Sequence, residues 1–266
     1  MTTLNIENKV NALLTDEAQE LLCFATISES KSWQDVLNLY LEIKAKNAPK
    51  KVLMLLEDIG QCEYTSMHAS MGGELYFDTS ELIKEGEDED ISYDNTLPLQ
   101  VKYHIDQLLK NKMSIHNLHG KLNYSDQDLS NLVIKINEQP EKILDEVIQV
   151  KLVNSENDHQ KFAAQLNGYF SCHLSPFESF SLIQYLDNNF DLEYIGLGAS
   201  LLFFIKKPSF IPEKIDSLFE ELDKIYSYNQ ENIIRLKQHL SDNNYMILPY
   251  VDYLDTFDLN DFDNES

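Results

Sequence analysis

The chain has 266 residues, 43 % of them hydrophobic, which excludes disorder despite a formal charge of −24. That length buries a sizeable core and suits one large domain or two modest ones. Three Cys residues far apart (Cys23, Cys62, Cys172) exclude a disulfide scaffold and any CxxC zinc or redox motif.

In chain order, the opening segment MTTLNIENKVNALLTDEAQ lacks the apolar core of a signal peptide, which points to a cytoplasmic protein. Apolar residues at helical spacing (Ile6, Val10, Leu13, Leu14, Ala18, Leu21, Leu22, Ala25) predict a helix over 6–25. A second helix starts at Ser32 as N-cap, carries Trp33, Val36, Leu37, Tyr40, Leu41 and Ile43, and stops before Pro49. KVLMLLEDI at 51–59 reads as a buried strand and ELYFDTSELI at 74–83 as another. The acidic run EGEDED at 85–90 reads as a solvated loop between two parts of the chain. Helices follow over 97–112 and 126–137, the second opened by Ser125-Asp126-Gln127-Asp128 in a capping-box-like start.

The order is clearer from Glu146 onward. EVIQVKLV at 146–153 is a strand, and Asp158–Leu166 a short helix. Ser175-Pro176-Phe177-Glu178 combines an N-cap, a proline at the first position and a glutamate at the third, so a helix runs from there to about Asn189. A hairpin (192–197 and 200–206), helices from Pro212 and over 230–240, and a strand at 245–251 complete the chain. This β-α-α-β-β-α-α-β order expands the split βαβ layout. The expected fold is α+β, an antiparallel sheet with helices packed on one face, preceded by a mainly helical N-terminal part. The corresponding division is 1–84, an acidic linker or loop at 85–96, a C-terminal α+β part at 97–251 and an acidic aromatic tail at 252–266. No 18-residue run is apolar enough to suggest a membrane span.

Few residues suggest covalent or metal chemistry, and the expectation is no catalytic residue, no metal and no cofactor. Gly196-Leu197-Gly198 lacks the third glycine and the following helix of a phosphate cradle, and reads as a turn between strands. His116 and His119 form an HxxH pair without the glutamate of a metalloprotease motif, and read as surface histidines. Cys172-His173 precedes a helix N-terminus, where thiols are activated, but its aromatic neighbours favour a buried structural thiol. Asp126-x-Asp128-x-Ser130 fails as a calcium loop, with Asn131 at the sixth position and Asn137 at the twelfth.

The charge is the strongest signal. Residues 1–95 hold 19 acids and 7 bases, and the remainder 26 and 14; Arg235 is the only arginine. Nucleic acid and anionic membranes are repelled by such a surface, whereas a basic protein is attracted. In the tail, Asp252, Asp255, Asp258 and Asp261 recur every third residue, interleaved with Tyr253, Leu254, Phe257, Leu259 and Phe262. This alternation is suited to a basic or amphipathic partner. The expected function is an acidic protein that binds and neutralises a basic protein, as an immunity protein or inhibitor does. Asp252, Tyr253, Asp255, Phe257, Asp258, Asp261 and Phe262, with Glu87, Asp88, Glu89 and Asp90, are the expected contact residues. The alternatives are an enzyme whose carboxylates meet only in the fold, and a nucleic-acid mimic.

Overall fold

The computed structural model describes residues 2–6, 13–29, 32–83, 86, 88–168, 172–254 and 256–263. The predicted first helix is a strand, a shorter helix and a second strand: β1 (Thr3–Ile6), α1 (Asp16–Cys23) and β2 (Ala25–Ser28). Thr15 caps α1 by accepting from the Ala18 N–H at 3.2 Å, so the helix begins late. Ala25, the last residue of that spacing, and Ile27 are paired antiparallel with Val150 and Ile148, and this cross-strand packing overrides the helical place of Ala25. Val10, the remaining member of that pattern, lies outside the described residues.

The next elements are α2 (Trp33–Asn47), capped by Ser32 as expected, and β3 (Lys51–Leu55). Then come α3 (Ile59–Ser70), α4 (Glu89–Asp94), α5 (Leu97–Lys110) and α6 (Gln127–Glu138). The strand expected at 74–83 is absent. A short 3₁₀ turn at Gly73–Leu75 takes its place, and the backbone that follows pairs with no strand, although Leu75 anchors the segment in the core. The 85–90 acids do not all lie in a loop. Asp88 caps α4 and accepts from the N–H groups of Asp90 and Ile91, while Asn95 hydrogen-bonds Thr15 and Leu13. Glu87 and Glu85 lie outside the described residues.

The C-terminal half follows the predicted order: β4 (Val147–Val153), a 3₁₀ helix at Asp158–Ala164, α7 (Pro176–Phe190), β5 (Leu192–Leu197), β6 (Leu201–Lys206), α8 (Ile215–Tyr226), α9 (Gln230–Asp242) and β7 (Tyr245–Pro249). A last turn of helix, α10 (Leu259–Asp263), closes it. The capping box at α7 is made in full: Ser175 N–H donates to Glu178 at 2.8 Å, and Glu178 N–H to the Ser175 hydroxyl at 3.3 Å.

The seven strands form one open sheet in the order β1-β2-β4-β3-β5-β6-β7. Every neighbouring pair is antiparallel except β3–β5, which is parallel, so the sheet is mixed rather than purely antiparallel. β4, from beyond the acidic run, lies between β2 and β3, so both halves of the chain share the sheet. One-face helix packing also gives way. Successive strand residues point to opposite faces, yet all of β5 and β7 is buried. On one face Trp33 packs against Phe203 at 5.8 Å and Tyr245 at 5.4 Å; on the other, Phe162 packs against Tyr194 at 6.0 Å.

β7 is an edge strand, and α6 closes it. The fully buried Asn137 side chain accepts from Ile247 N–H at 2.8 Å and donates to Ile247 C=O at 2.9 Å, as a neighbouring strand does. Asn137→Ala strands both buried backbone groups and is expected to cost about 3 kcal/mol. Urea unfolding measures this; an unchanged midpoint would show that something else satisfies the edge.

Candidate functional site

The parallel seam between β3 and β5 determines what is buried at the centre of the sheet. A Cβ on Gly196 would lie 2.1 Å from the Met54 carbonyl oxygen, and one on Gly198 would lie 2.2 Å from Glu57 Oε2. The glycine pair is therefore a strand-packing device rather than a phosphate cradle, but Gly196 lies within β5 and not in the turn expected for it, which begins only at Gly198. It admits the Glu57 carboxyl, just beyond β3, into the core. There Ser200 N–H donates to Oε2 at 3.0 Å, whereas Oε1 has no hydrogen-bond partner. Burial pushes this carboxyl up to about 7, against the opposing effect of the Ser200 N–H.

At the other end of β5, Glu193 is also buried but well partnered. The Tyr40 hydroxyl donates to it, and Lys44 Nζ lies 2.6 Å away. Lys161, fully buried, donates to Tyr40 at 2.9 Å and lies 3.7 Å from both Asp158 and Glu193. Burial lowers the Lys161 pKa, and the two carboxylates oppose that shift. Beside this cluster, the His159–Asp187–Lys207 chain joins the 3₁₀ helix, α7 and the end of β6, with contacts of 3.3 Å and 2.7 Å. These residues come from distant parts of the chain, so no sequence spacing announced them. They are cross-ties of the fold, since none lines the three cavities that follow.

A cavity of about 630 Å³ lies by α1 and the start of β4 and has Asp94, Asp145, Gln19 and Gln149 in its wall. Burial raises the Asp94 carboxyl, with Asp90 adding to the effect. Asp145 is occupied in accepting from Ile59 N–H at 3.1 Å. A cavity of about 290 Å³ between α3 and α5 has Lys151 in its wall, whose amine donates to Gln165 at 2.8 Å. Lys151 and His104 are buried there, and both His104 ring nitrogens face backbone carbonyls, Ala163 and Leu75.

The third concavity, about 350 Å³, is made by the acidic aromatic tail. Tyr253, Leu254, Phe257 and Leu259 face Leu129 and Leu132 of α6, and Asp126, Asp128 and Asp258 border them. Among the described residues no basic side chain lines this groove. Asp126 caps α6 by accepting from Asp128 and Leu129 N–H, and Asp258 accepts from Asn260 N–H. Lys142 Nζ holds the far end of α10 through the Asp261 and Phe262 carbonyls, at 3.0 and 3.1 Å.

The expected contact residues separate on this framework. Tyr253 is 66 % exposed, Asp258 and Asp261 are exposed, Asp252 is half-buried, and Phe257 is half-buried in the groove. Phe262 is only 4 % exposed, so its ring belongs to the protein's own core. Asp255 and Glu87 lie outside the described residues. Asp88, Glu89 and Asp90 are exposed at the start of α4, which packs on α1 and shares a cavity wall with β4 through Asp94. α10 packs on α6 beside β7, four strands from β4, or roughly 19 Å at ~4.8 Å per strand. The two acidic segments are therefore not brought together. Cys172 is exposed, contrary to the buried thiol expected; Cys62 is the buried one. The chain enters the core only at Leu174, two residues later, so the Cys172 side chain stays outside.

Glu57 supplies a pH test. Its folded pKa is raised, so its contribution to stability is fully present below about pH 4.5 and is lost as pH rises through about 7. Compared with the native chain, Glu57→Gln is expected to gain on the order of 3 kcal/mol of relative stability between pH 4.5 and pH 8. Urea midpoints at both pH values measure it, and parallel pH curves for the two proteins would refute the assignment. Phe262→Ala is expected to lower stability by about 2 kcal/mol, detectable by thermal melting; no loss would mean that the ring is not part of the core.

No protein-family model, curated protein or solved structure matches the chain, so its own geometry is the basis for a functional reading.

Proposed function

We propose that this protein binds a basic, amphipathic segment of another protein in the groove between α6 and the C-terminal segment, acting as an inhibitor or immunity protein does. The observation that carries the reading is the groove itself: an apolar floor of Leu129, Leu132, Tyr253, Leu254 and Phe257 bordered by Asp126, Asp128 and Asp258. Apolar side chains of a partner helix or strand fit the floor, and its Lys and Arg side chains meet the carboxylates. The surplus of 24 negative charges over the whole chain draws such a partner in from a distance. Exposed aromatic rings beside charge are common anchors at interfaces, which favours Tyr253 and Phe257 over the buried Phe262. The same charge disfavours nucleic acid and anionic lipid as ligands.

The test uses two synthetic peptides of equal positive charge, one with an apolar face of leucines and one with serines in their place. Surface plasmon resonance on the full chain is expected to show the leucine peptide binding at least about tenfold tighter. Tyr253→Ala with Phe257→Ala should abolish that preference, mainly by faster dissociation. Asp126→Asn, Asp128→Asn and Asp258→Asn together should slow association and flatten its salt dependence, because exposed charges act on encounter. Equal affinity for the two peptides, or a preference that survives the aromatic substitutions, would leave the acidity a matter of surface charge and sink the reading.

A further inference from the structure

His116 and His119 are not isolated surface histidines. In the 3₁₀ helix Ile115–Leu118, residues three apart stand on the same side. Ile115 and Leu118 therefore both enter the core, while His116 and the capping residue His119 share the outer side, with ring centroids 5.0 Å apart. Glu221, from the middle of α8, meets them there. His119 Nε2 lies 2.5 Å from Glu221 Oε1, and one ligand atom from each of the three residues falls within a 4.8 Å cluster.

The scaffold around this triad is braced. Gly120, Leu122 and Tyr124 donate their N–H groups to the Lys224, Ile225 and Tyr226 carbonyls at 2.7, 3.1 and 2.7 Å, tying the histidine segment to the end of α8. Gly120 turns the chain into this seam at φ +72°, a conformation that suits glycine. Lys224 holds the other oxygen of Glu221 at 3.0 Å, which orients the carboxylate with Oε1 toward the histidines. Glu221 is thus a carboxyl group held in place beside two imidazoles.

We propose that His116, His119 and Glu221 bind one divalent transition-metal ion of the borderline class, zinc foremost. Two imidazole nitrogens and one carboxylate oxygen are the ligand types that such ions prefer, and calcium and magnesium prefer all-oxygen sets. Tetrahedral bonds of 2.0–2.1 Å place ligand atoms roughly 3.3 Å apart, so an ion replaces the His119–Glu221 hydrogen bond, opening that 2.5 Å contact while the exposed His116 ring closes in. Three protein ligands leave a fourth position for water. The site also ties the 115–119 segment to α8, so a bound ion stabilises the folded chain. This proposal does not depend on the groove.

The experiment takes the full chain stripped with a chelator and titrates it with zinc chloride by calorimetry, with magnesium and calcium chloride in parallel. One equivalent of zinc is expected to bind and to raise the melting temperature, with no uptake of magnesium or calcium. His116→Ala alters an exposed side chain and leaves folding intact; it should weaken zinc binding at least about tenfold and remove the thermal shift. Glu221→Gln should do the same. His68→Ala, at an exposed histidine in edge contact with Tyr64, should change nothing. Cobalt(II) should give the visible absorption bands of a tetrahedral ion in the native chain and not in His116→Ala. Fewer than one equivalent of zinc, native affinity in His116→Ala, or an equal loss in His68→Ala would overturn the assignment.

Discussion

The close approach of β3 and β5 is the constraint on which the sheet depends. It joins two antiparallel groups, β1-β2-β4-β3 and β5-β6-β7, through the register pairs Met54–Gly196 and Leu55–Leu197. Leu56 N–H to Leu197 C=O at 2.9 Å and Ala199 N–H to Glu57 C=O at 3.1 Å extend the seam past the strands. A side chain at position 196 or 198 would collide with the neighbouring backbone or with Glu57, so two of the eight glycines are committed to it. With both faces covered, the seam is buried, and a parallel pair buried in this way matches the continuous apolar run of β3.

Burying that seam brings carboxylates with it, and the two ends handle them differently. Glu193 is surrounded by Tyr40, Lys44 and Lys161, which supply donors and positive charge. Among the described residues Glu57 meets backbone N–H groups but no cation, so burial drives it toward the neutral form. Ion pairs of the first kind do little for net stability, because desolvation offsets attraction, but breaking one strands a buried charge. They hold α2, the 3₁₀ helix and β5 in one arrangement.

Much of the surface acidity has a local task before any partner is considered. Asp88, Asp126 and Asp258 each accept backbone N–H groups at the start of a helix, where the helix dipole favours negative charge. In the groove Asp126 and Asp258, with Asp128, stand around an apolar floor, and the tail that builds the floor is anchored by Phe262 and Lys142. Anchoring gives the groove a defined shape at little entropic cost on binding. A tail disordered until bound would have to be ordered at the partner's expense.

Local patterning alone determined the C-terminal elements, because each carries its own start and stop. The Ser175–Glu178 capping box, the proline at 176 and the alternation between helical and strand periods specify α7, β5, β6, α8, α9 and β7 without reference to other segments. It also determined the sign of the surface and the structural nature of Gly196 and Gly198. Only the tertiary structure decided that the expected helix would stop before Ala25 and that 25–28 would be a strand, since pairing with β4 outweighs Ala25's place in a helical spacing. The same is true of the parallel seam, of cover on both sheet faces, and of Phe262 turning inward. The candidate sites followed this rule most strictly. Leu129 and Leu132 reach the tail groove from more than a hundred residues away, and Glu221 reaches His119 across 102. Periodicity reports which face of an element is apolar; which distant carboxylate meets that element is decided by how the elements pack.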